Sequence, residues 1–204
     1  MSKSSLNTEG ELATVLWVEV LFCPALELGP EPPAVFDEVF AVIFAEIGRN
    51  EGIFLSLLGD EMVAVFGVSP PRREHALQGV QAALAIRRGL ASCRDRFKAD
   101  SQVDVQVRMG LNSGVVVDDM THGLRILTQG STPERKIAIL GDRRTRSVVL
   151  AAARLASIAN TSEVLVSSAV KDLVTDSEVK FEFRGTHTLQ DVSGDYSVYA
   201  VVTD

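Results

Sequence analysis

Cysteine is scarce in this chain. Cys23 and Cys93 are the only two, and they form neither a CxxC pair nor a disulfide framework. A disulfide-stapled secreted fold is thereby excluded, and a reduced, cytoplasmic setting is expected. Positive charge is also in deficit. Lys and Arg number 20 against 27 Asp and Glu, giving a net charge of −7 and a pI of about 5.0. Nucleic acid is a poor partner for such a chain, because phosphate binding needs a basic face. The one basic cluster, "RRTR" at Arg143–Arg146, reads as a solvated loop or helix start. No uncharged apolar run reaches the ~18 residues of a membrane span, so no membrane contact is expected. The opening "MSKSSLNTEG" lacks the apolar segment of a signal peptide. His75, His122 and His187 are too scattered for metal-ligand spacing.

What is present is a well-supplied core. The chain has 204 residues and is 46% hydrophobic, enough for one ordinary globular domain. "LATVLWVEVLF" is rich in β-branched and aromatic residues and predicts a buried strand, with Trp17 in the core and Glu19 its one charged member. The proline-rich "CPALELGPEPP" predicts a loop. Phe36, Val39, Phe40, Ile43 and Ile47 recur at helical spacing between Pro33 and Gly48. "IFLSLL" and "MVAVFGV" predict a hairpin around Gly59-Asp60-Glu61. A helix follows "PPRRE", in which Arg87 and Arg88 read as a solvated face and Cys93 as packing. In "VDVQVRMGL", Val103, Val105, Val107 and Met109 share one face, and "NSG" is expected to turn that strand into "VVV".

This order, strand, helix, two strands, helix, strand, is the ferredoxin-like βαββαβ pattern. The rest supplies an extra C-terminal α/β segment: a helix over "SVVLAAARLASIA", then "EVLVS", a short helix near Ala169–Val174, "VKFEFRG" and "DYSVYAVV". The fold class is therefore α/β (α+β), with a tail over 1–10 and one domain over 11–204. Residues 118–135 fit an inserted arm, and "KIAIL" a further strand.

The topology carries a chemical expectation. The first and third strands of such a sheet are central antiparallel neighbours, which brings Glu19 and Asp60 to one end. Two carboxylates held together repel unless a proton or cation compensates. A divalent ion such as Mg²⁺ suits one or two carboxylates plus substrate phosphates. From this pair alone, the simpler reading is that Asp60 forms a turn and Glu19 faces solvent at a strand end.

Five segments in order then resemble the catalytic domain of class III nucleotidyl (adenylate/guanylate) cyclases, over about Glu11–Val202. They are "TVLWVEV", "GIFLSLLGDEMVAVFG", "VRMGLNSGVVV", "LAAARLASIANTSEVLVSS" and "FRGTHTLQDVSGDYSVYAVV". The resemblance implies that Glu19 and Asp60 stand at the two metal-binding aspartates, for Mg²⁺ or Mn²⁺ if that site survives and for no cofactor otherwise. It places Arg154 at the transition-state arginine. The family reaction is attack of a ribose 3′-hydroxyl on the α-phosphate of ATP or GTP, at a site shared by a head-to-tail dimer.

Departures from the pattern are concentrated at functional positions. Ser56 stands where the family has a base-recognising lysine, and Leu150 where it has the catalytic asparagine. Leu150 has no hydrogen-bonding side chain. A second base-recognising position falls near Gly141 or Asp142. The expected phosphate-cradling turn reads Phe22-Cys23-Pro24, in which Pro24 has no N–H to donate. Glu19 keeps the charge of an aspartate but is longer by a methylene.

The resemblance with these losses implies a degenerate cyclase-homology domain in cyclic-nucleotide signalling. It is expected to be weak or inactive as an enzyme, and to work as a regulatory module in a homodimer or in a heterodimer with another such domain. The alternative is an active cyclase of ATP or GTP, alone or as half of a heterodimer. A GGDEF-type diguanylate cyclase relative, suggested by "LLGDEM", ranks third, because the Asn-Asp and Gly-His motif expected before the hairpin has no match.

Overall fold

Every residue from Ala13 to Val18 is buried, which explains why β1 (Glu11–Cys23) reads as an unbroken apolar run rather than an alternating strand. Layers of helix cover it on both faces. The computed structural model describes residues 10–24, 34–68, 73–117, 143–175 and 177–202. Among these, β1 lies inside a sheet of seven strands. The others are β2 (Ile53–Leu58), β3 (Glu61–Phe66), β4 (Asp104–Val116), β5 (Val164–Ser167), β6 (Lys180–Thr188) and β7 (Asp195–Val202). The order across the sheet is β2-β3-β1-β4-β5-β7-β6.

The first four strands pair antiparallel throughout and, with α1 (Ala34–Arg49) and α2 (His75–Ser101), form the expected βαββαβ core. α3 (Arg143–Ile158) returns the chain so that β5 joins β4 in parallel, and α4 (Ser168–Leu173) follows. The β6–β7 hairpin completes the sheet through antiparallel pairing of β7 with β5.

Period-2 alternation divides the strand side chains between two layers. Leu16, Val18 and Val20 of β1 join Met62, Phe66, Val107 and Met109 in a core covered by Val39, Phe40 and Ile43 of α1 and Val80 and Ala83 of α2. Ala13, Val15 and Trp17 face the other way, with Val63 and Val65, onto Val148, Val149, Ala152 and Ala156 of α3. α3 approaches β4 unusually closely at Gly110. A Cβ there would lie 2.2 Å from the Ala152 carbonyl oxygen and 2.4 Å from the Ala156 nitrogen.

Two expectations are corrected. "NSG" does not turn the chain, because β4 runs unbroken through it. Asn112 and Ser113 stay in register with Val15 and Thr14, and their polar groups find internal partners. The Ser113 and Thr14 hydroxyls lie 2.6 Å apart, and Asn112 Nδ2 donates to the Val148 carbonyl at 3.3 Å. Nor do Phe22 and Cys23 form a turn: they continue β1 opposite Val105 and Asp104. Phe22 is held there by stacking on Phe36 of α1, with ring centroids 5.8 Å apart. The start of the tail (1–9), most of the proline-rich loop (25–33), the prolines at 70 and 71, the 118–135 insertion, "KIAIL", Gly141 and Asp142 lie outside the described residues.

Candidate functional site

The β2–β3 hairpin turns at Gly59-Asp60, where Gly59 adopts φ +74°, a conformation that favours glycine. Asp60 is exposed at this tip. Its carbonyl accepts the Val20 N–H at 2.9 Å, so the hairpin tip is fastened to β1 one residue beyond Glu19. Glu19 and Asp60 are thus neighbours, as the topology requires. The strict cross-strand partner of Glu19 is nevertheless Glu61, not Asp60.

On its other side Glu19 is paired with Arg108 of β4. Cross-strand partners share a face, so Glu61, Glu19 and Arg108 form a row across three strands, on the α3 side. Arg108 Nη2 donates to Glu19 Oε1 at 2.5 Å, and Nη1 donates to the Ser157 carbonyl in the last turn of α3 at 3.3 Å. The two side chains are only 18% and 27% exposed, which sets this pair apart from solvated surface ion pairs.

Ser56 lies on the same face. A β-bulge between Phe54 and Ser56 shifts the register and sets Ser56 opposite Val63, which pairs in turn with Trp17. Ser56 is 2% exposed, and its hydroxyl has no hydrogen-bond partner among the described residues. Leu150 is half-buried on α3 and packs against the apolar clusters on both sides of that helix. One turn later, Arg154 is engaged within its own chain. Its Nε donates to the Gln190 carbonyl at 3.3 Å and its Nη2 to Asp191 at 3.2 Å, tying α3 to the β6–β7 connection.

Of the two carboxylates expected in a metal-binding role, Glu19 is ion-paired with Arg108 and Asp60 is exposed on the turn. No three His, Cys, Asp or Glu side chains converge into a metal-holding group among the described residues. A cavity of about 440 Å³ opens elsewhere, between α2 and the start of β6, lined by Leu77, Gln81, Leu84 and Lys180.

Arg108 and Glu61 were missed by motif reasoning. A signal for Arg108 was present: the strand that places Val105, Val107 and Met109 on one face must place Arg108 on the other. His75 is a core residue. It is buried, with Nδ1 2.7 Å from the Thr14 hydroxyl, and burial pushes its pKa below 6.5.

The chain has the fold of the class III adenylyl and guanylyl cyclase catalytic domains. It is similar to the adenylyl cyclase CyaB from P. aeruginosa at 19% identity and a TM-score of 0.73, with 98% of this chain and 97% of that chain covered. The guanylate cyclase domain of RhGC from Catenaria anguillulae, solved in complex with GTP, matches at 18% identity and a TM-score of 0.68, covering 94% and 96%. A non-canonical dimeric guanylyl cyclase domain of the RhoGC fusion protein from Blastocladiella emersonii matches at 16% and 0.67, again covering 94% and 96%. No family model and no curated protein matches the sequence. No described helix is long and apolar enough to cross a membrane.

Proposed function

We propose that the chain acts in cyclic-nucleotide signalling as a cyclase-homology domain, with weak or absent catalysis of its own and a dimerising, regulatory role. The observation that best supports this reading is the pair Ser56 and Leu150. Ser56 is buried where a long cationic base reader is expected, and Leu150 packs its apolar side chain where a hydrogen-bonding amide is expected. Loss of a single preorganised donor typically lowers kcat by about 10²–10³-fold. The partner is a second cyclase-homology domain, identical or different, and the nucleotide class is ATP or GTP. The dimeric and GTP-bound domains among the similar structures support both expectations.

The test is direct. Purified protein given ATP or GTP with Mn²⁺ is expected to form no more cyclic nucleotide than an Asp60→Ala variant. Asp60-dependent product overturns the reading in favour of an active cyclase. A second reading, half of a heterodimeric enzyme, draws on the exposed Asp60 at the hairpin tip. It predicts product only when a partner domain supplying Asn and Arg is added.

A further inference from the structure

The middle of the outer side of α1 lacks the polar surface that a solvent-facing helix normally carries. Its exposed positions from Ala41 to Gly48 are Ala41, Phe44, Ala45 and Gly48. Phe44 is 39% exposed and meets Phe54 of β2 edge-on, with ring centroids 4.6 Å apart. Phe54 is itself 37% exposed, so the aromatic patch continues from the helix onto the strand. Among the described residues β2 is an outer strand of the sheet, and "IFLSLL" has no charge along it. The opposite outer strand, β6, carries Lys180, Glu182, Arg184 and a bulge, which are devices that guard a free edge. Gly48 adds to the contrast. Glycine weakens a helix relative to alanine. A Cβ at Gly48 would meet nothing within 4 Å, so packing within the chain does not call for glycine there.

The charges at the two ends of this patch fit a second copy of the same helix. Asp37 is exposed in the first turn of α1 and Arg49 in the last. Glu38 is taken up by Arg96 of α2 at 2.6 Å, which leaves Asp37 as the outward acid. Arg49 is paired with Glu46 one turn back, yet its side chain is 69% exposed. Positions 37 and 49 are symmetric about residue 43, and so are 41 and 45. An antiparallel copy of α1 centred there sets Asp37 against the partner's Arg49, and Arg49 against the partner's Asp37. Small side chains at 41, 45 and 48 let the two helices approach closely, with Phe44 of each copy packed between them. We infer that this face of α1, with the Phe54 edge of β2, is a self-association surface for a second copy of the chain, related by a two-fold axis. α1 covers one face of the sheet, whereas Trp17, Val63 and the cyclase-type positions lie on the other. The pairing therefore leaves the α3 side open. It goes beyond the cyclase-type dimer, joining such dimers in pairs, and does not rest on the proposed function. One helix face and a strand edge make a small interface, so the association belongs to the weak, concentration-dependent class.

Sedimentation equilibrium of the full chain, from about 5 to 300 µM, tests the inference. The wild-type mass is expected to rise above that of Phe44→Glu, which sets a charge in the middle of the patch. Asp37→Arg and Arg49→Asp each bring like charges together at both ends of the pair. Each is expected to weaken the association by roughly tenfold. Mixed in equal amounts, these two variants complement one another and are expected to recover the wild-type mass. Both charge variants lie at exposed positions and keep the test decisive if Phe44→Glu does not fold. The inference is overturned if the wild-type mass rises no further than that of the variants, which leaves the face to a different partner. It is equally overturned if the mixture associates as weakly as its components. The head-to-tail dimer is judged separately. A dimer that survives in Phe44→Glu is that pair. Monomeric Phe44→Glu beside an associating wild type removes the head-to-tail dimer and leaves the α1 pairing standing.

Discussion

At the scale of residues, local chemistry and register decided different things. Ser56 and Leu150 could be singled out only through the resemblance to the cyclase family, which expects a lysine and an asparagine four residues before Asp60 and Arg154. What these two side chains do in the fold could not be read this way, because it depends on packing. The bulge beside Ser56 shifts that side chain onto the Trp17 face, and no sequence period signals it. The Glu19–Arg108 pair was half legible. Alternation gave the face of Arg108, but only the β1–β4 register gave its neighbour. His75 shows the same division: its sequence neighbourhood is ordinary, yet in the fold it is buried against Thr14. A titration follows from it. Burial lowers its pKa below 6.5, so between the folded value and 6.5 the unfolded chain binds the extra proton. The contribution is fully present above 6.5 and is lost as pH falls towards the folded value. Urea midpoints measured from pH 7.5 down to about 5.5 are expected to fall less steeply in His75→Gln than in the wild type.

At the scale of elements, the strands and helices of the βαββαβ core were legible because hydrophobic period and turn residues agree there. They disagreed at Asn112-Ser113-Gly114. The triplet has turn composition, but Ser113 and Asn112 are satisfied inside the fold, and pairing along the whole of β1 outweighs the local preference. The contact of α3 with β4 was not legible, since a glycine in a strand has many explanations. The geometry at Gly110 makes it testable. Gly110→Ala sets a methyl group against helix backbone that cannot yield without moving α3. A loss of about 3 kcal/mol or more is expected in urea unfolding, at the upper end of overpacking effects. Arg154→Ala offers a contrast. Its partner Asp191 is 60% exposed, so that ion pair is a partly solvated one, and a stability change of about 1 kcal/mol or less is expected.

At the scale of the whole molecule, the resemblance to cyclase domains implied an assembly as well as a fold. A head-to-tail pair is the expected state, and sedimentation at micromolar concentration is expected to show dimer. A monomer alone would count against the regulatory pairing proposed here. The surface charge of −7 does not favour self-association by itself, so the dimer should strengthen with added salt as repulsion is screened. The central position of β1 has a further consequence, in time. Its partner β4 ends about ninety residues after it, so at ~5–20 residues per second β1 is synthesised roughly 5–20 s before that edge can be covered. During this interval this long apolar strand depends on the β2–β3 hairpin, or on a chaperone, for shelter. Slowing translation between β3 and β4 should therefore lower the yield of soluble protein more than slowing it after β4.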